Sequence, residues 1–200
     1  MSKLESISAF DGIAKPGRYG KAEGEAGVIV SERKDLGLAT VEVRKGQIEA
    51  LKAAVQTKYG VDLPDGAVVA QGKDVSFIGT GPGQWFAVSR TLNNEMLADD
   101  LAATLTGMAS IADQSSSRAV LRLGGSRARD VLAKGFPIDL DPRVFPTNAA
   151  ATGNVSHMGV LVWRDGDDYD IALFRSLSGS FWRWLTSSAA EYGCEVVTTS

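Results

Sequence analysis

His157 is the only histidine in the chain and so the only side chain whose ordinary pKa lies near neutrality, which makes it the one obvious general base. A base needs a nucleophile to activate and an acid to orient it. Ser156 precedes it directly, but neighbours on a strand point to opposite faces, so Ser156 is poorly placed to be activated and His157 reads as a satisfied or interfacial histidine. Cys194 is the only cysteine and reads as a small buried apolar residue, since no motif surrounds it and no disulfide can form within the chain. With one His and one Cys the usual His/Cys metal cages cannot be built. Asp165, Asp167, Asp168 and Asp170 resemble the opening of a calcium loop, but the twelfth position from Asp165 is Ser176 rather than Glu, so the run reads as a solvated turn.

Two glycine-rich stretches could hold an anion. Gly79-Thr80-Gly81-Pro82-Gly83 is followed by a strand-like Trp85-Phe86-Ala87-Val88 instead of a helix, and Pro82 removes a donor, so a hairpin turn is expected. Gly124-Gly125-Ser126 does precede a helical pattern, with Arg127 and Arg129 beside it, and reads as an ordinary helix start. In the aromatic cluster Phe181, Trp182 and Trp184, the helical wheel sets Phe181 and Trp184 on the apolar face. Trp182, about 100° away from Phe181 around the helix, is expected either to meet a partner surface or to make a shallow contact within the chain. No residue is assigned a catalytic, cofactor-binding or metal-binding role.

The elements that must position these residues follow from periodicity. The stretch from Pro137 to Trp163 organises the chain: Pro137, Pro142 and Pro146 predict an ordered, extended link, and Met158 to Trp163 an apolar strand buried on both sides, or on one side plus an interface. Strands are expected at Gly27–Val30 and Leu36–Val43, then a helix carrying Ile48, Leu51, Val55 and Tyr59 with Gly60 as its stop. Val75–Ile78 and Trp85–Ser89 read as a hairpin, followed by a helix with Met96, Leu97, Leu101 and Leu105, capped by Asn93 or Asn94. The order then recurs. Ala119–Leu123 is a strand, Ala128, Val131 and Leu132 mark a helix, and Ile138-Asp139-Leu140-Asp141-Pro142 echoes Val61-Asp62-Leu63-Pro64. Val160–Trp163 and Asp170–Phe174 form a second hairpin, and Ser178 can cap a last helix with Phe181, Trp184, Leu185, Ala189 and Tyr192, stopped by Gly193. Glu195 to Thr199 is expected to be a terminal strand. Both halves thus read strand, helix, link, hairpin, helix, which points to an ancient duplication. The expected class is α+β, with antiparallel sheets and helices on one face of each. Residues 1–26 read as an N-terminal arm without its own core, with Ile7, Phe10, Ile13 and Tyr19 able to enter pockets on another subunit, and 27–200 as one duplicated domain with halves of about 27–109 and 110–200.

Composition narrows the function. A net charge of −3 over 200 residues, without a cluster of Lys and Arg, gives no nucleic-acid footprint and no polybasic membrane patch. The first ten residues lack the basic start and apolar run of a signal peptide, and no stretch approaches membrane-spanning length, so a cytoplasmic location is expected.

Five blocks carry a resemblance to a known family: Gly-Val-Ile-Val-Ser-Glu-Arg at 27 to 33, Gly-Pro-Gly-Gln-Trp at 81 to 85, Ile-Asp-Leu-Asp-Pro-Arg-Val-Phe-Pro at 138 to 146, the stretch from His157 to Trp163, and Arg175-Ser176-Leu177 leading into Ser180–Leu185. Together they resemble the γ subunit of heterotetrameric sarcosine oxidase. The resemblance implies a complex of α, β, γ and δ chains that oxidatively demethylates sarcosine to glycine and hydrogen peroxide, with tetrahydrofolate taking up the one-carbon unit. It implies that FAD, covalent FMN and NAD belong to the larger subunits, that δ carries zinc, and that γ carries no cofactor and no assigned catalytic residue. It also implies a fold similar to the folate-binding domain of aminomethyltransferases, itself a duplicated α+β unit. The function expected is that of a non-catalytic structural γ subunit, inactive when isolated. The alternative is a free-standing folate-binding aminomethyl- or one-carbon-transfer protein, which would need an acidic residue facing a pterin-sized pocket.

Overall fold

The computed structural model describes residues 8–93 and 95–198. In chain order the elements are β1 (Gly17–Tyr19), β2 (Val28–Glu32), β3 (Gly37–Val43), α1 (Ile48–Tyr59), β4 (Val69–Ala70), β5 (Val75–Gly81), β6 (Gln84–Ser89), α2 (Glu95–Thr104), β7 (Ala109–Asp113), β8 (Arg118–Gly124), α3 (Ala128–Ala133), β9 (Ala150–Val155), β10 (Met158–Asp165), β11 (Asp168–Phe174), α4 (Ser178–Ala189) and β12 (Cys194–Val196). They build two sheets, ordered β4-β5-β6-β3-β7 and β9-β10-β11-β8-β2-β12-β1. The shared core of these orders, β4-β5-β6-β3 and β9-β10-β11-β8, places equivalent elements of the two halves in equivalent positions. The fold is α+β, as expected.

Period-two alternation explains how the sheets stack. On β3, Ala39 and Val41 point outward to a core shared with Leu51 and Val55 of α1 and Leu97 and Leu101 of α2, while Leu38 points inward. On β10, Val160 and Val162 join Phe181 and Leu185 of α4 and Val131 of α3, while Leu161 and Trp163 point inward. A smaller core, with Leu38, Ile78, Phe86, Val120, Leu161, Trp163 and Ala172, lies between the sheets. Two sheets therefore meet inner face to inner face, each with its helices outside, which is why β10 is apolar on both faces.

Local signals hold at several places. Gly60 adopts φ 68° and its N–H donates to the Gln56 carbonyl, ending α1. Pro82-Gly83 turns the hairpin of β5 and β6, with φ 68° at Gly83. Gly166 and Asp167 turn that of β10 and β11. Other expectations need correction. Ser178 makes no side-chain cap, and Leu177 precedes the helix instead. At α3 the preceding residue is Arg127, again without a side-chain cap. Asn93 accepts from the Met96 N–H through its backbone carbonyl, and Asn94 lies outside the described residues. Met96 is exposed, so the buried stripe of α2 is Leu97, Leu101 and the following Leu105. The link from Pro137 to Pro146 is ordered but not extended throughout: Val144 and Phe145 N–H groups donate to the Asp141 carbonyl at 2.8 and 2.7 Å, closing a turn. Leu140 and Phe145 are buried, which anchors the link on the second core.

The N-terminal segment departs most from its reading. Ala9 and Phe10 are buried in the second core, and β1 pairs with β12. β2, grouped with the first half in sequence, inserts between β8 and β12 of the second sheet, antiparallel to β8 and parallel to β12. β7 belongs to the first sheet although it spans the expected boundary at 109–110. Ile7 and Thr199 lie outside the described residues.

Candidate functional site

A cleft lined by several charged side chains opens at one end of the gap between the sheets and has a volume of about 320 Å³. Leu36, Val69, Ile78, Val88 and Trp163 give it an apolar wall, and the β4–β5 turn from Gln71 to Asp74 forms its rim. At its base stands Asp170 on β11, with a side chain only 3% exposed. Its register partner Arg122 on β8 donates from Nε at 2.8 Å and from Nη2 at 2.7 Å, and Arg33, just past β2, lies 3.4 Å away. This bidentate pairing raises the Arg122 pKa further, with Asp170 as the leading cause. Arg33 also donates to both carboxylate oxygens of Asp35 at 3.0 Å, and that bond holds the Asp35 carboxyl below the usual range. Asp168, at the turn, is pushed the other way by burial.

Arg164 on β10 completes the polar end. It is buried and donates to the carbonyls of Phe145 at 3.0 Å and Gly166 at 2.8 Å, tying the proline-rich link to the β10–β11 turn. The acids of the expected turn are thus ion-pair partners of Arg122 and Arg164, rather than ligands of a cation. Among the described residues no group of three or more His, Cys, Asp or Glu could hold a metal ion. Chemically, the base of the cleft is a charge-compensated strut: Asp170 accepts on both oxygens from two arginines.

The other residues singled out in the sequence are not gathered there. Ser156 and His157 are the turn between β9 and β10, with φ of 46° and 72°, and both are exposed. Their turn leaves no local signal in the sequence, because β9, with its Ala-Thr-Gly-Asn composition, carries little strand pattern. Cys194 is fully buried on β12, and burial pushes its thiol up to about 11. At the start of α3 the Arg127 N–H donates to the Gly27 carbonyl at 2.8 Å and the Arg127 side chain pairs with Asp130, so the glycine turn holds β2 rather than an anion.

Of the two outcomes expected for Trp182 the contact within the chain holds, but it is deep rather than shallow, while Trp184 packs on Phe181 as expected yet is the less buried of the two. Trp182 is 6% exposed, in edge contact with Phe10 and Tyr19 at centroid distances of 6.5 and 5.3 Å. Trp184 is only partly buried, against Phe181 and the backbone of Gly135. The surface that Trp182 meets is the chain's own N-terminal segment.

Residues 45–191 match the family described as Sarcosine oxidase, gamma subunit family. The chain belongs to that family. Among its relatives are the sarcosine oxidase subunit gamma of Corynebacterium sp. (strain P-1), 29% identical over 197 residues and covering 97% of each chain, and that of Arthrobacter sp., 32% identical over 169 residues and covering 82% of this chain and 81% of the relative. Among solved structures, a chain of the heterotetrameric sarcosine oxidase from Corynebacterium sp. U-96 superposes with a TM-score of 0.75 at 29% identity, covering 85% of this chain and 87% of the other. The aminomethyltransferase T of the glycine cleavage system from Bartonella henselae shares the fold, with a TM-score of 0.63 at 16% identity over 86% of this chain and 48% of that one. The sarcosine oxidase gamma family thus uses an aminomethyltransferase-like fold, and the gamma chain is one component of a larger oxidase.

Proposed function

We propose that this chain is a structural γ subunit of a heterotetrameric sarcosine oxidase, assembled with α, β and δ chains in the cytoplasm. The observation that carries the reading is the likeness to a chain of such an oxidase along most of both lengths. The complex oxidises sarcosine to glycine and hydrogen peroxide, with tetrahydrofolate accepting the one-carbon unit, and FAD, FMN, NAD and zinc reside in the partner chains. Among the described residues, neither glycine-rich stretch fits a dinucleotide. Gly81-Pro82-Gly83 is a hairpin tip rather than the start of a helix, and the N–H at the start of α3 is already bonded to Gly27. A folate-transfer protein would need an acidic residue facing a pterin-sized pocket; at the base of the inter-sheet cleft the Asp170 carboxylate is held by Arg122 and Arg33, and Asp74 stands exposed on the rim. No helix among the described residues is long and apolar enough to cross a membrane.

Purified alone, the chain is expected to be colourless, to bind neither flavin nor NAD, and to leave sarcosine unoxidised. Co-expressed with the other chains, it co-purifies with them in an active oxidase. Stoichiometric flavin absorbance in the isolated chain overturns the assignment, and folate binding at micromolar affinity or tighter favours one-carbon transfer instead.

A further inference from the structure

Arg118 begins β8 and faces Phe174, the last residue of β11, in direct register. Two residues along each strand, Val120 and Ala172 point into the core between the sheets, so Arg118 and Phe174 share that inner face. Two residues further still, Arg122 and Asp170 form the strut at the cleft. The inner face of this strand pair therefore carries a guanidinium at each end, and the two are treated differently. Arg122 has its carboxylate. Arg118 has its charge 3.6 Å over the Phe174 ring, its Nε buried without a hydrogen-bond partner, and no ion pair among the described residues.

The environment makes that omission costly. Burial holds the Arg118 pKa below its ordinary value, and an unpaired buried donor on a charged group forfeits its hydration without a replacement. Phe174 offers one attractive face but is itself 45% exposed, a large aromatic at the mouth of the gap. The opposite sheet is open at this end too. Leu36 lines the cleft and Leu38 packs in the middle, but Thr40 and Glu42, further along β3, join Thr80, Gln84 and Ser110 around a shallow recess of about 260 Å³. Hydroxyls, an amide and the Glu42 carboxylate, which accepts from Gln84, thus stand on one sheet, and on the other a cation–aromatic pair that has no ion-pair partner among the described residues.

We propose that this open end of the inter-sheet gap is a docking seat for a partner chain of the oxidase, which inserts a carboxylate-bearing segment against Arg118 and Phe174. The inference rests on the γ-subunit reading. Charge complementarity selects the occupant: the missing element is an anion, and a desolvated Arg on an exposed aromatic is the type of group that dominates subunit interfaces.

The test uses the whole oxidase, with a tagged chain carrying Arg118→Ala, Arg118→Lys or Phe174→Ala, and thermal melts of each isolated variant beside it. Arg118→Ala is expected to leave the melting temperature close to that of the native chain while weakening capture of the other oxidase chains roughly tenfold or more. Arg118→Lys restores part of the loss, and the native interaction weakens with added salt. Unchanged capture by Arg118→Ala overturns the seat, as does a loss that only follows a fall in melting temperature. So does stabilisation of the isolated native chain by sodium acetate with assembly unaffected, or a dimer of this chain alone that Arg118→Ala disrupts. If the native chain captures no oxidase chains, the γ-subunit reading falls and the seat with it; if it does and every variant matches it, only the seat falls.

Discussion

Trp182 shows how a single residue's role depends on a segment far away in sequence. The helical wheel ranks Trp184 with Phe181 because a wheel knows only the helix, yet α4 lies under two surfaces: the second sheet, which takes Phe181 and Leu185, and the N-terminal segment, which takes Trp182. The buried face of the helix is therefore wider than a single stripe. Trp182→Ala should destabilise the isolated chain by roughly 3 to 5 kcal/mol, the range for a large buried aromatic, whereas Trp184→Ala, which removes a partly exposed ring, should cost clearly less. Chemical denaturation of the two variants checks this, and equal midpoints would show that the N-terminal cover contributes nothing. The Asp170 strut was hidden for a related reason. Arg33, Arg122 and Asp170 are spread along 137 residues, and nothing in their local spacing brings them together before the strand order is known.

At the scale of elements, legibility follows the strength of the local pattern. Helices with apolar stripes and hairpins with glycine turns stand out in the sequence, as α1, α4 and the β5–β6 and β10–β11 pairs do. The two-residue β4 and the polar β9 do not, because each sits at the edge of its sheet and has little apolar alternation to display. β2 is visible as a strand but not as a member of the second sheet, since a pairing between Val28–Val30 and Cys194–Val196 leaves no local trace. The N-terminal segment reads as an arm on the same grounds: it lacks enough apolar residues for a core, but it does not need its own when Phe10 and Tyr19 pack on Trp182 and β1 extends the sheet beyond β12. Deleting residues 1–20 should therefore cost roughly 3 to 5 kcal/mol, from the lost burial of these aromatic rings and the Trp182 ring they cover, and lower the melting temperature by on the order of 10 °C. A truncated chain that melts like the native one would return the segment to the status of a free arm.

For the whole molecule, the equivalent strand orders support descent of the halves from one duplicated unit, but the halves are not equally self-sufficient. The first sheet closes with β7, which follows α2 and pairs directly with β3. In the second, β12 follows α4 but is separated from β8 by β2, so the sheet is completed by a strand supplied from the other end of the chain. Without β2, the β8 edge loses its partner over Ile29 to Glu32, β12 and β1 lose their attachment, and the Val28 and Val30 side chains leave the second core. An exposed edge of this kind also invites association with other chains. The fragment 114–200 should accordingly show no cooperative melt, while co-expression of 1–113 with 114–200 should yield a folded complex held by β2 and by the core between the sheets. Circular dichroism melts of the fragment and of the co-purified pair decide the matter: a sharp transition in 114–200 alone would mean that β12 can move up against β8, as β7 does against β3, and that the inserted strand is dispensable to the second half.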